Sequence, residues 1–194
     1  MRILSGIQPS GVLHIGNYFG AIKQWIELQE SHDCFFMIAD LHAITVPYDK
    51  NTFKETVRNA ALTYLALGLD HKKCSLFIQS HIPEHTELMW FLNTITPLGE
   101  LERMTQFKEK KGKHRKDVNA GLLSYPILQA ADILLYKTEG VPVGRDQVQH
   151  IEFTRMLAKK FNTKFGDIFK EPKEILPKFG EKISRLKRVI YVIF

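Results

Sequence analysis

Short apolar, β-prone runs alternate along this chain with longer stretches whose apolar positions recur every three to four residues. Met1 to Leu4 is the first run and ends at Ser5-Gly6. Beyond a turn at Pro9-Ser10-Gly11, Ile15, Phe19, Ile22, Trp25 and Ile26 recur at helical spacing, which predicts a core-facing stripe with Phe19 and Trp25 inside. Cys34 to Ala39 reads as a buried strand closed by Asp40, and Ser75 to Ile78 as another closed by Gln79-Ser80. Between them, residues 52–67 read as a helix. Thr52 and Glu55 form a capping-box pattern at its start, and Gly68 is placed to end it. Glu84 to Asn93, Ile127 to Leu135 and Gln147 to Phe161 are also predicted helices, and Val141 to Gly144 a short fourth strand. Strands separated by helices need crossover connections, so the expected fold is α/β with a doubly wound, mostly parallel sheet. Lys108 to Lys116 is a polar insertion expected to form a mobile loop.

Composition narrows the class. With 44% hydrophobic and 25% charged residues in 194, disordered, collagenous and coiled-coil chains are excluded. Cys34 and Cys74 stand far apart in apolar contexts, which suits reduced, buried thiols and a cytoplasmic protein rather than a disulfide scaffold. No apolar run reaches the ~18–20 residues of a membrane span, and the first residues lack a signal-peptide layout. The expectation is a soluble protein without membrane contact. The net charge of +6 is concentrated at one end: residues 159–194 carry ten Lys/Arg against four Asp/Glu, and the first 158 residues balance to zero. Such a segment is either a nucleic-acid contact or a solvated surface.

Three segments carry candidate chemistry. Gln8 to Asn17 joins the first strand to the first helix, where open α/β sheets bind ligands and helix N-termini suit phosphate. His14 can donate to a phosphoryl oxygen there, and Gly16 allows close approach of a nucleotide. Val141 to His150 repeats the strand-to-helix arrangement, with Asp146 a candidate for ribose hydroxyls or for an ordinary helix cap. In Tyr125 to Tyr136, Asp132 sits inside an apolar helical run. A carboxylate there needs a partner, either structural or a ligand N–H. His81 and His85 have metal-ligand spacing, but no third ligand is evident and the pair reads as structural.

Together these segments closely resemble tryptophanyl-tRNA synthetases, class I aminoacyl-tRNA synthetases of bacterial or organellar type. The likeness covers roughly residues 3–183, through Ser5 to Gly11, Asp40 to Val46, Gly99 to Lys108 and Ala130 to Tyr136. His14-Ile15-Gly16-Asn17 is similar to the family's first signature motif. The resemblance implies a Rossmann-like catalytic domain over 1–183, with a helical insertion around 80–130. It also implies activation of L-tryptophan by ATP with Mg²⁺, attachment to tRNA(Trp), and a homodimer; no resident metal is expected. Carried over by motif, the catalytic residues are His14, Gly16, Asn17, Lys108 and Lys110, the lysines lying with Gln106 on a loop near the phosphates. Gln8, Pro9, Ser10, Gly16, Asn17, Gly144, Arg145, Asp146 and Ile183 are implied ATP contacts. Leu4, His42, Tyr125, Gln129, Asp132, Ile133, Val141, Val143 and Gln147 are implied to line the tryptophan pocket, with Asp132 taking the indole N–H.

The chain departs from the family pattern in three places. Gln129 stands where the family often has Met, adding polarity beside the indole, and Arg145 stands where Glu is usual, reversing a charge near the nucleotide. After Ile183 the family continues into a Lys-Met-Ser-Lys-Ser loop whose lysines stabilise transition-state phosphates. Here Ser184-Arg185-Leu186-Lys187-Arg188 runs into the apolar Val189 to Phe194. The expectation is therefore a truncated or frame-shifted synthetase without its anticodon-binding helical domain, ending in an atypical tail over 184–194. Its activity is expected to be impaired. The alternatives are a module that binds tryptophan or ATP without turnover, a tyrosyl-type enzyme, and another His-x-Gly nucleotidyltransferase.

Overall fold

The computed structural model describes residues 1–9, 15–104 and 118–176. Its strands are β1 (Arg2–Ile7), β2 (Asp33–Ile38), β3 (Cys74–Ile78), β4 (Gly140–Pro142) and β5 (Lys173–Ile175). They form one sheet in the order β3-β2-β1-β4-β5, with every neighbouring pair parallel. This is the expected doubly wound arrangement. The connection after β3 returns the chain past β2 to the far side of β1, so a topological switch point lies between β1 and β4.

Alternation along the strands divides the sheet's side chains between two cores. Ile3, Ile7, Cys34, Phe36 and Ile38 pack on one face with Trp25 and Tyr64. Leu4, Met37, Ala39 and Val141 pack on the other with Ile133 and Ile151. Both faces are covered, which explains why the strands read as continuous apolar runs. The Trp25 indole stacks on Phe36 with ring centres 4.6 Å apart and meets Tyr64 edge-on at 5.6 Å.

The first helical region differs from its periodicity. It consists of α1 (Ile15–Asn17), a π-helical turn over Tyr18–Ile22, and α2 (Lys23–Leu28). Ile22 and Trp25 are fully buried as expected, but Phe19 is 39% and Ile15 74% exposed. A π turn takes more residues per revolution than an α turn, so the apolar stripe slips out of register across it. Next come α3 (Asp40–Ala43) and α4 (Phe53–Ala66). The capping box expected at Thr52 does not form: Thr52 makes no side-chain cap, and its Oγ1 donates to Asp49 Oδ2 at 3.1 Å. Gly68 does follow the helix end, at φ +115°, a left-handed conformation that glycine adopts without a Cβ penalty.

Between β3 and β4 lie α5 (Glu84–Asn93), α6 (Leu98–Arg103) and α7 (Ala120–Leu135); α8 (Val148–Phe165) follows β4. α7 starts seven residues before the expected Ile127, where the Asn119 side chain accepts the Leu122 N–H at 2.9 Å. Pro126 sits within it, retained because every residue from Tyr125 to Leu134 is buried. These four helices share a core built from Leu92, Leu101, Leu122, Ile127 and Leu157. β5 was not foreseen in the sequence. The polar run 108–116 and the apolar run 189–194 lie outside the described residues. Among the described residues no helix is long and apolar enough to cross a membrane.

Candidate active site

β1 ends at Ile7 and is followed by Gln8 and Pro9, both buried. β4 runs into Val143 and Gly144 and then a tight turn over Arg145–Gln147. The carboxyl ends of these adjacent strands frame the switch-point crevice, so two of the three candidate segments converge there. Gln147 Nε2 donates to Asp146 Oδ2 at 3.0 Å, and the Gln147 N–H donates to the Gly144 carbonyl. A Cβ on Gly144 would stand 2.7 Å from Asp146 Oδ1, so a larger residue would displace that carboxylate. Gly16 and Asn17 are buried. Ser10, His14, Gln106, Lys108, Lys110 and Ile183 lie outside the described residues.

The third segment reaches the same region through Ile133, which packs with Leu4 of β1 and with Val141 and Val143. Of the expected tryptophan-pocket residues, Leu4, Ile133, Val141 and Val143 pack in one buried apolar cluster with Met37, Ala39 and Ile151. Gln129 and Asp132, both on α7, are fully buried. Tyr125, also on α7, brings its hydroxyl 3.1 Å from His150 Nε2, and its ring meets His42 edge-on at 6.4 Å.

Asp132 anchors a network that draws on four elements. His42 Nε2, from α3, lies 2.8 Å from Oδ2, and His85 Nδ1, from α5, lies 2.6 Å from Oδ1. Gln79 Nε2, just past β3, donates to both oxygens at 2.9 and 3.0 Å. Burial pushes the Asp132 carboxyl up, but the hydrogen bonds and charges of His42 and His85 outweigh it and hold the group below the usual carboxylate range. An ionised carboxylate only accepts, so His42 carries a hydrogen on Nε2 and His85 on Nδ1. His85 Nε2 lies 2.9 Å from the Tyr136 hydroxyl, which burial and the Asp132 charge keep protonated. His42 Nδ1 is buried without a hydrogen-bond partner among the described residues. Gln79 is fixed in turn, since its Oε1 accepts the Leu41 N–H at 3.2 Å.

Thus Asp132 meets the requirement for a partner with three protein donors. Gln79, His85 and Tyr136 were not among the expected site residues, and neither was His150. Gln79 showed only as the end of a strand, and His85 as half of a metal-like pair. In the structure His81 is exposed and His85 is bound to Asp132 and Tyr136. Among the described residues no three His, Cys, Asp or Glu side chains gather to hold a metal ion.

Comparison with known proteins bears on this arrangement. The sequence profile for tRNA synthetases class I (W and Y) matches residues 1–187. Tryptophan--tRNA ligase 2 of Streptomyces avermitilis is 54% identical over 188 residues, which cover 96% of this chain and 56% of that protein. Tryptophan--tRNA ligase of Caldanaerobacter subterraneus is 54% identical over 185 residues, 95% of this chain and 56% of that one. The crystal structure of tryptophanyl-tRNA synthetase from Campylobacter jejuni, complexed with ADP and tryptophan, superposes with a TM-score of 0.86 at 47% identity. It covers 92% of this chain and 56% of its own. The chain therefore spans just over half the length of the curated relatives it matches.

Proposed function

The chain belongs to the class I tRNA synthetases of the tryptophan and tyrosine type, and on that premise we propose that it serves ATP-dependent activation of L-tryptophan and its attachment to tRNA(Trp). The observation that carries this reading is Asp132, an acceptor-only group beside the apolar cluster of Leu4, Ile133, Val141 and Val143. Such a wall suits a flat apolar ring with one N–H. A phenol could also donate to Asp132, and the 54% identity to tryptophan--tRNA ligases favours the indole. A phenyl ring offers no donor and is rejected wherever the acceptor would be left unmatched. Since both Asp132 oxygens already accept from protein donors, the indole N–H shares or replaces one of those bonds.

In the activation step the tryptophan carboxylate attacks the α-phosphorus of ATP, and pyrophosphate leaves with the Mg²⁺ that arrived with the nucleotide. The protein's task is to hold the nucleophile in line and to stabilise charge developing on the phosphoryl oxygens. We assign ATP binding to the switch-point crevice, through Gln8, Pro9, Ser10, Gly16, Asn17, Gly144, Arg145, Asp146 and Ile183. His14, Lys108 and Lys110 are assigned to the phosphates. His42, Tyr125, Gln129, Asp132 and Gln147 are assigned to tryptophan together with the apolar cluster. Residues 1–183 form the catalytic domain in this reading, with the helices around 80–130 as its insertion, and the reaction takes place in the cytoplasm. A homodimer is part of the proposal. It is supported by Trp90 (71% exposed) and Phe91 (52%) on α5 and Leu98 (59%) at the start of α6.

A second reading is favoured by one sequence fact: these 194 residues contain no Lys-Met-Ser-Lys-Ser run. On it, the chain as given binds tryptophan or ATP without turnover. Tryptophan-dependent ATP–pyrophosphate exchange separates the two, with Asp132→Asn as control. Exchange well above that control supports activation, whereas tryptophan binding without exchange supports the second reading. Absence of both binding and exchange refutes the two together.

A further inference from the structure

We infer that His85, backed by Tyr136, is a positioning residue for substrate selection: it locks Asp132 Oδ1 and leaves Oδ2 as the oxygen that recognises the ligand N–H. The inference deepens the proposed function and rests on it, because it presumes that Asp132 reads an indole.

The two oxygens are held differently. Oδ1 takes the His85 Nδ1–H at 2.6 Å, the shortest bond to this carboxylate among the described residues. His85 cannot readily turn away. Its Nε2 faces the Tyr136 hydroxyl at 2.9 Å, and its ring lies nearly parallel to Phe77 with centres 5.9 Å apart. Tyr136 is wedged in turn between Phe77 at 5.4 Å and Phe35 at 4.9 Å. This side is a closed chain: the Tyr136 hydroxyl is hydrogen-bonded to His85 Nε2, and His85 Nδ1 donates to Asp132.

Oδ2 is held by His42, whose other ring nitrogen, Nδ1, is buried without a partner among the described residues. His42 therefore lacks the second hydrogen bond that fixes His85. Gln79 spans both oxygens and settles the plane of the carboxylate, not the choice between them. An N–H entering from the apolar cluster competes with the less constrained donor, so it takes Oδ2. His85 and Tyr136 touch no ligand in this scheme. They act by keeping the carboxylate ionised and preventing its rotation, which would otherwise present a blurred acceptor to the substrate.

The test compares L-tryptophan with β-(3-benzothienyl)alanine, in which sulfur replaces the indole N–H. Dissociation constants are measured by equilibrium dialysis on the full chain, on His85→Leu, on His85→Asn and on Tyr136→Phe. The wild-type chain is expected to prefer tryptophan. In His85→Leu that preference falls on the order of tenfold, the scale of one hydrogen bond to a charged group, while affinity for the sulfur analogue stays within about twofold. An asparagine amide can stand where Nδ1 stood, so His85→Asn retains most of the preference. If His85→Leu does not fold, Tyr136→Phe decides the matter: loss of the hydroxyl frees the imidazole, and the preference falls several-fold.

An unchanged preference in a folded His85→Leu, or in Tyr136→Phe where the leucine variant does not fold, overturns the inference and leaves the proposed function standing. Equal weakening of both ligands also overturns it, because that is what a merely structural role produces. A wild-type chain with no preference for tryptophan refutes the proposed function and this inference with it.

Discussion

Replacing Asp132 with leucine removes a carboxylate that three buried donors share, and the structure sets the scale of the loss. His42, Gln79 and His85 all point hydrogens at Asp132, and all four side chains are essentially inaccessible to water. A buried donor left unmet costs about 1–3 kcal/mol. Leucine nearly matches aspartate in shape and adds apolar contact, so the three penalties are not simply additive. Breaking one member out of a buried charged pair costs about 3–5 kcal/mol, and we expect the leucine variant to lose that much. Against a typical total stability of ~5–15 kcal/mol the change is large. Asp132→Asn should behave differently. Its remaining oxygen still accepts, and the imidazole facing its amide can accept after moving a proton to its other nitrogen. The Gln79 amide is then the main mismatch, and the expected loss is about 1–2 kcal/mol. Urea unfolding followed by circular dichroism and by tryptophan fluorescence measures both variants, with the slope checked for change. A leucine variant that loses under about 1 kcal/mol, or an asparagine variant that loses as much as the leucine one, would refute the reasoning. This difference is also why asparagine is the appropriate control for the exchange assay.

Three further outcomes are expected. The Asp132 carboxyl titrates lower in the folded chain than in the unfolded one, so its contribution is present above the unfolded value of ~3.9 and is lost as pH falls through the folded value. The wild-type urea midpoint should therefore drop below about pH 4 more steeply than that of Asp132→Asn; parallel curves would contradict the assignment. Partly exposed Glu139, held down by the Arg2 N–H and Lys170, and Glu174, held down by Arg155, contribute acid sensitivity to both proteins alike. A Cβ at Gly140 would stand 2.7 Å from Ile175 Cδ1 and 3.2 Å from Met1 Cε. Gly140→Ala should thus cost about 1–3 kcal/mol in thermal or urea unfolding, and adding Ile175→Val should recover much of it; no recovery would locate the strain elsewhere. The cysteines should differ in reactivity: burial and the neighbouring Cys74 push the Cys34 thiol up to about 12. Iodoacetamide at pH 8 should modify half-buried Cys74 well before Cys34, as mass spectrometry of digested peptides would show; equal rates would contradict this.

Much of this arrangement was legible in the sequence because it is local. The apolar runs of β1 to β3, the α5 boundaries and the stop at Gly68 depend on neighbours within one turn or one strand. What escaped notice depends on distance. Asp132 signalled that a partner was needed, but its donors come from residues 42, 79 and 85, and only the fold brings them together. The helix expected from Ile127 begins at Ala120, because burial of every residue from Tyr125 to Leu134 carries the helix through Pro126 against its local preference. The π turn at Tyr18–Ile22 left Phe19 exposed despite its spacing. Thr52 had the composition of a cap, yet the nearby Asp49 carboxylate drew its hydroxyl away. Cys34 and Cys74 looked unrelated along the chain and stand opposite one another across β2 and β3.

The strand order also imposes a schedule on synthesis. β1, β2 and β3 are complete by Ile78, but β1 meets its other neighbour only when Gly140 arrives. Roughly sixty residues separate those events, or about 3–12 s at a ribosomal rate of ~5–20 residues/s. Throughout that interval one side of this central strand is a bare row of amide and carbonyl groups, open to pairing with any extended segment nearby. The step from half-sheet to full sheet is therefore the moment in this protein's production when mispairing competes most directly with folding.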